Sequence, residues 1–237
     1  MPINESKQEN DHKGHRRRTM DCFLAQGLDG VPAHSVLELL LFFAIPRWNT
    51  NTMSHRLIER FGSLSGVMDA PFEELLKVNG IGYQSAVLIK LVVALGRLYL
   101  EDKQSVGVVF NTPAEIGAYM KPKFVGRTRE TVFLLCFDKK NKLLKCELIS
   151  EGTLDYAPIM IRRIVESVVQ VGAASVVMVH NHPQGFALPS TDDVNATRYI
   201  QEALDLLSIR LTDHIIVARD DFVSMAESGI LVRRIST

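Results

Sequence analysis

The stretch VVMVHNHPQGFALPSTDD, Val176–Asp193, decides how the rest of the chain is read. A β-branched apolar run ends in two histidines one residue apart. A turn containing Pro183 and Gly185 follows, and Ser190-Thr-Asp-Asp then opens a helical pattern. In a strand, residues i and i+2 point to one face, so His180 and His182 can converge on one ion at the strand end. Asp192 or Asp193, at the start of the next helix, offers a third ligand. Two imidazoles and a carboxylate leave a fourth tetrahedral position for water, the arrangement of a catalytic zinc site. A reading without metal competes with it. Ser190 followed by Asp193 is nearly a helix capping box, and histidines beside a turn can be ordinary hydrogen-bonding residues.

Working outward, the segments around this stretch mix strands and helices. ETVFLLCFD (130–138) and LLKCELISEGT (143–153) are β-like runs joined by the turn-forming KKNK. PIMIRRIVESVVQVG (158–172) has helical periodicity, ASVVMVH (174–180) reads as a buried strand, and DDVNATRYIQEALDLLSI (192–209) as a helix. RLTDHIIVARDDFVSM (210–225) reads as a strand pair turning at RDD. This alternation predicts an α/β or α+β domain over residues 107–237.

Upstream, residues 1–18 are polar and charge-rich and predict a disordered arm. Residues 19–100 are helical in pattern: HSVLELLLFFAI stopped by Pro46, TNTMSHRLIERFG stopped by Gly62, and APFEELLKV leading through NGIG into YQSAVLIKLVVALGRLYL. Residues 101–106 form a short polar linker. The Gly80-Ile81-Gly82 turn between two helices can present backbone amides to a phosphate at a helix N-terminus, a weak, sequence-independent contact to DNA. Equally, its glycines simply permit a tight turn, and Lys77 and Lys90 are the only cations close by.

Bulk composition narrows the classes. Hydrophobic residues are 46% and charged residues 23%, with 27 Lys plus Arg against 27 Asp plus Glu, so the chain is not a globally basic nucleic-acid binder. Cys22, Cys136 and Cys146 sit among apolar neighbours without a CxxC spacing and are expected to be buried reduced thiols. The polar N-terminus carries no secretory h-region, and the apolar runs are judged too short to span a membrane, so a cytoplasmic protein is expected.

The complete spacing carries a resemblance. His180-x-His182, seven residues, then Ser190-x-x-Asp193 is similar to the H-x-H-x7-S-x-x-D signature of the JAMM (MPN+) metalloproteases. HNHPQG…PSTDD resembles more closely the HNHPSG…PS..D block of the bacterial RadC family. GTLDYA resembles that family's GTL block, DHIIV its LDHIIV strand and VSMAESGIL its C-terminal end, with LELLLF and the hairpin ahead of them in order. The resemblance implies an all-α helix-hairpin-helix domain followed by a mixed-sheet JAMM/MPN domain of cytidine-deaminase-like type. It further implies zinc held by His180, His182 and Asp193, with Asp192 not a ligand, and Ser190 donating a hydrogen bond to an oxyanion while also capping its helix.

JAMM enzymes place their general base, a glutamate, on an earlier strand. Glu147 and Glu151 both qualify, and four-residue spacing puts both on one face of a regular strand. Glu147 matches the family's position five residues before Gly152. Two departures stand out: MIRR (Met160–Arg163) replaces the usual HPRE, keeping only Arg162, and Gln184 replaces serine. His214 is a possible extra ligand or a core residue paired with Asp213, while His34 and His55 have no ligand partners nearby. The expectation is a zinc-dependent peptidase or isopeptidase-like hydrolase acting on a peptide or protein substrate. The alternatives are a DNA-associated accessory protein whose zinc is structural or vestigial, and an interaction module.

Overall fold

The computed structural model describes residues 5–46, 48–103, 107–152, 157–218 and 221–231, which divide into two compact units at Gly96/Arg97. Thr153–Tyr156 of the GTL block, the turn residues Arg219 and Asp220, and 104–106 of the linker lie outside them.

The first unit is all-α, as its periodicity predicts. α1 (Glu5–Gln26) covers most of the segment expected to be a disordered arm; residues 1–4 lie outside the described residues. Its composition of Glu, Lys, Gln and Arg is rich in good helix formers. Arg16 adds a tertiary anchor, donating to the Ile45 and Trp48 carbonyls, each at 2.7 Å, just past the end of α2. α2 (Ala33–Ala44), α3 (Thr50–Phe61), α4 (Leu64–Asp69), α5 (Phe72–Leu76) and α6 (Tyr83–Asp102) follow. The Asn49 side chain caps α3 and Gly62 ends it at φ 82°, as its cap residues predict. α4 is an element the sequence reading passed over; Ser63 caps it through the Gly66 amide. Leu37, Leu41, Leu57, Val67, Leu75, Ala86 and Ile89 close the core.

α6 corrects one expectation, since by length and composition it could cross a membrane. Its buried Ser85, Ala86 and Ile89, and the Lys90 ammonium bonded to the Met68 and Ala70 carbonyls, tie its first half to the helical core. Cys22 is a second correction, because it is exposed on α1 whereas Cys136 is buried.

The second unit is a five-stranded mixed sheet with helices on both faces. After α7 (Pro113–Phe124), also missed from the sequence, come β1 (Thr131–Phe137), β2 (Leu143–Glu151), α8 (Ala157–Val171), β3 (Ser175–Asn181), α9 (Thr191–Asp205), β4 (Arg210–Ala218) and β5 (Asp221–Ser224). The order is β2-β1-β3-β4-β5, and β3/β4 is its one parallel pair, joined through α9. β1 and β3 are buried along their whole length, which is why both read as continuous apolar runs. Val132, Leu134, Cys136, Val176 and Met178 pack with Ile164 and Val168 of α8 and Ile200 and Leu204 of α9. Phe133, Leu135, Phe137, Val177 and Val179 pack on the opposite face with Ile116, Met120 and Phe124 of α7.

Candidate metal centre

The chain brings His180, His182 and Asp193 together. His180 is the penultimate residue of β3, on the α8/α9 face, because it pairs with Val132 of that face's core. His182 lies just past the strand end, and its amide still bonds the Val217 carbonyl of β4 at 2.8 Å. Asp193 stands in the first turn of α9, where the capping box holds it. The Nε2 atoms of the histidines are 2.9 Å apart, His180 Nε2 is 3.1 Å from Asp193 Oδ1, and His182 Nε2 is 3.4 Å from Asp193 Oδ2. Ligands 2.0–2.2 Å from one centre of a tetrahedron stand about 3.3–3.6 Å apart, so this donor set fits one ion with little adjustment. The His180 and Asp193 side chains are 2% and 5% exposed and that of His182 is 15%, so approach is from the His182 side. Asp192, one residue before, is exposed and outside the cluster.

Each donor is aimed by a second contact. His182 Nδ1 meets the Phe186 carbonyl at 2.9 Å, and a carbonyl only accepts, so Nδ1 carries the proton and Nε2 is the free lone pair. Asp193 Oδ2 receives the Ser190 amide at 2.8 Å and the Ser190 hydroxyl at 2.6 Å, while Ser190 Oγ accepts the Asp193 amide. The capping box and the His-His-Asp cluster are therefore one structure: the box turns the carboxylate back toward the histidines. Burial pushes the Asp193 carboxyl up, but hydrogen bonds and charge from His180, with the bonds from Ser190, outweigh it and hold it well below the carboxylate range. Ser190's single proton is spent on Asp193, so an oxyanion would have to compete for it.

His214 is not a fourth corner of this cluster. Its ring is fully buried behind His180, with Nε2 2.7 Å from His180 Nδ1 and Nδ1 2.5 Å from Thr197 Oγ1. Asp213 does not bond that ring: its carboxylate takes the His214 amide, the Ser224 hydroxyl and the Ala226 amide. Burial, then the neighbouring His180, drive the His214 pKa well below normal, so this ring is neutral. His34 and His55 stack on one another in the helical unit, ring centres 4.2 Å apart.

The two glutamates expected to compete for the base lie on opposite faces. β2 carries a bulge between the pairs Val132↔Ser150 and Phe133↔Leu148, and the inserted Ile149 breaks the alternation on which the shared face depended. Glu151 ion-pairs at 2.6 Å with Arg127, whose guanidinium covers Phe133 of the α7 face. Glu147 pairs with Leu134 on the His180 face, but its Oε2 is bound by Ser167 of α8 at 2.5 Å and Lys145 at 2.7 Å. Those two bonds, Lys145's first, hold its pKa below the usual range. Two strands across and two residues along place its Cα about 12 Å from that of His180.

A third carboxylate, passed over in the sequence, sits closer. Glu130 immediately precedes β1, and alternation puts it on the face of Val132, the partner of His180. Continuing that antiparallel register sets Glu130 opposite His182, about 5 Å away between Cα atoms. Thr128, Glu130, His182, Pro183, Gln184 and Gly185 line one shallow groove. Asn181 straps the backbone on either side of Glu130, accepting the Thr131 amide at 2.8 Å and donating to the Arg129 carbonyl at 3.4 Å. The sequence signal was an acid heading an apolar β run; its value depends on β1 pairing with β3, which no local pattern announces.

The MIRR segment forms the start of α8. Met160 is buried in the α8/α9-face core, Arg162 pairs with Glu166 on the surface, and Arg163 donates to the Leu148 and Ile149 carbonyls at the β2 bulge. Arg163 thus gives two carbonyls of the edge strand a side-chain donor at the bulge.

A mixed sheet that offers two histidines from a central strand end and an aspartate from the following helix is a JAB-type domain with a candidate metal site. Residues 110–230, just over half the chain, match the RadC-like JAB domain. Across nearly its full length the chain is similar to UPF0758 proteins. It is 32% identical over 214 residues to that of Idiomarina loihiensis, covering 90% of this chain and 96% of the relative. It is 32% identical over 205 residues to that of Cellvibrio japonicus (85% and 92%), and 29% over 230 residues to that of Fusobacterium nucleatum (94% and 99%). The chain belongs to the RadC family.

Proposed function

We propose that this protein is a zinc-dependent amide hydrolase of peptidase or isopeptidase type. The observation that carries the reading is the convergence of His180 Nε2, His182 Nε2 and an Asp193 carboxylate oxygen, three ligands with a corner left over. A structural zinc is normally closed by four protein ligands, which disfavours a purely structural role. Zinc held there supplies a Lewis acid that polarises an amide carbonyl and brings the pKa of a water toward about 7. The protein's own residues do the rest. Asp193 and the two histidines hold the ion, and His182 connects it to the groove beside Pro183–Gly185 that a peptide segment can enter. Ser190 orients Asp193 and turns its hydroxyl to a developing oxyanion once substrate is bound.

The proton from the attacking water goes to a carboxylate and on to the leaving amine. Register and the groove favour Glu130 for that role; Glu147, the choice of the sequence, must first release Lys145 and Ser167. Metal analysis of the purified protein beside His182→Ala, with amide hydrolysis scored over a broad peptide library, tests the reading. A wild type that holds no zinc after reconstitution sinks it.

DNA association through the Gly80–Gly82 turn is the second reading. The turn does stand at the N-terminus of α6, but Lys77 is paired with Glu74, Lys90 with carbonyls and Arg56 with the Asn79 carbonyl, so a phosphate would rely mainly on backbone amides. Salt-dependent binding to duplex DNA that Gly82→Ala weakens would promote it.

A further inference from the structure

We propose that Thr197 and His214 are positioning residues that fix the tautomer of His180, leaving its Nε2 lone pair free for the metal; this rests on the metal reading above. Three hydrogen bonds in series carry the argument. His180 Nδ1 lies 2.7 Å from His214 Nε2, His214 Nδ1 lies 2.5 Å from Thr197 Oγ1, and Thr197 Oγ1 lies 2.5 Å from the Asp193 carbonyl, all three buried. A neutral imidazole has one N–H and one lone pair, and a hydroxyl has one proton, so the series has a direction.

The Asp193 carbonyl can only accept. When Thr197 gives it the proton, Oγ1 must accept from His214 Nδ1–H. His214 Nε2 is then a lone pair and accepts from His180 Nδ1–H, and His180 Nε2 is bare toward His182 and Asp193. Reversing every link puts the proton of His180 on Nε2, where it can bond Asp193 Oδ1 in the metal-free protein but blocks the ligand atom for an ion, so the first direction is the one the loaded site needs. Thr197 decides between the two states because its one hydroxyl proton goes either to the Asp193 carbonyl or to His214 Nδ1, and the carbonyl can only accept. The arrangement is closed on itself: the carbonyl that anchors the series belongs to Asp193, the residue whose carboxylate is the third ligand. One turn of α9 therefore sets both the position of one ligand and the protonation of another, as outer partners of metal-bound histidines generally do.

The sequence offered His214 as either an extra ligand or a core residue bound to Asp213. It is the core residue of those two, with Asp213 bonding its amide and not its ring, and Thr197 drew no attention because a threonine four residues after an aspartate is an ordinary helical back-bond. What gives it a role is the second contact, across to β4.

The test uses the full chain and zinc alone. Nitrogen-15 NMR of the zinc-loaded wild type is expected to show His214 as the neutral Nδ1–H tautomer. Competition against a chromophoric chelator is expected to give Thr197→Val a zinc dissociation constant raised about 10–100-fold, with Thr197→Ser restoring it. The Co2+-loaded Thr197→Val should also show a changed d–d absorption band, which loss of packing alone would not produce. His214 found as the Nε2–H tautomer in loaded wild type overturns the proposal, as does Thr197→Val binding zinc as tightly as wild type. Should Thr197→Val fail to fold, the wild-type tautomer decides alone. A wild type that binds no zinc sinks the metal reading and this proposal together, whereas tight zinc with the wrong tautomer sinks only this one.

Discussion

The carboxyl end of β3 and the hairpin before α6 are both glycine-containing turns that lead into a helix, and they spend their polar groups in opposite ways. At α9, Ser190 and Asp193 cap the helix and in doing so aim a carboxylate at two histidines. At α6, the nearby lysines are already engaged, Lys77 by Glu74 on the surface and Lys90 by the carbonyls of Met68 and Ala70. The difference comes from what stands opposite each turn. A strand end carries side chains at i and i+2 on one face and brings a neighbouring strand with it, so donors meet at a point. A turn between two helices offers mainly backbone amides, and its side chains serve packing.

Removing a donor tests the first half most severely. Asp193→Ala or His180→Ala is expected to leave the protein without bound zinc after dialysis, read by metal analysis. Retention of one zinc per chain in either variant would show that the ion sits elsewhere. Next in size is the base: Glu130→Gln should keep zinc and lower amide hydrolysis about 10²–10⁴-fold, while Glu147→Gln changes it little. The reverse ranking would restore Glu147, and with it a movement of that side chain away from Lys145 and Ser167.

The hairpin gives a contrast of its own. Gly80 has φ 94°, and a Cβ there would come within 2.8 Å of Met53 Cε, whereas a Cβ on Gly82 meets nothing within 4 Å. Gly80→Ala should therefore cost about 1–2 kcal/mol in chemical denaturation, from the left-handed backbone alone, with the Met53 contact added to it. Gly82→Ala should leave stability near wild type. Equal effects would mean that the turn relaxes freely, contrary to the close packing of Ile81 beneath it.

These contrasts also mark what the sequence could tell. The three clustered residues were legible because HxH at a strand end and Ser-x-x-Asp at a helix start are local patterns, each fixed by a period of its own. The strands β1 to β5 were legible for the same reason. Glu130 was not, because its worth depends on β1 lying beside β3, a pairing between residues some fifty positions apart. Nor could spacing choose between Glu147 and Glu151, since a single inserted residue, Ile149, reverses the face. Helices α4 and α7 were missed for a related reason: neither α4's six residues nor α7, with Pro122 inside it, shows a clean apolar stripe.

The smallest effect expected concerns the capping box in the metal-free protein. Ser190→Ala removes the hydroxyl that caps the Asp193 amide and bonds its Oδ2, and loss of a serine cap costs about 1 kcal/mol. The pH dependence follows from Asp193, whose pKa in the folded chain is depressed below its ordinary 3.8. In acid the unfolded chain takes up a proton on this carboxyl first, so the stability it contributes is present above about pH 4 and is lost as pH falls through the folded pKa. Part of the depression comes from Ser190, so Ser190→Ala should raise the folded pKa and narrow the acid window in which that stability disappears. Asp193→Asn should abolish the window. Denaturant titrations in chelator between neutral pH and pH 2.5 measure both. An Asp193→Asn protein with the same acid sensitivity as wild type would show that other carboxylates govern it, and that the box holds Asp193 by geometry more than by charge.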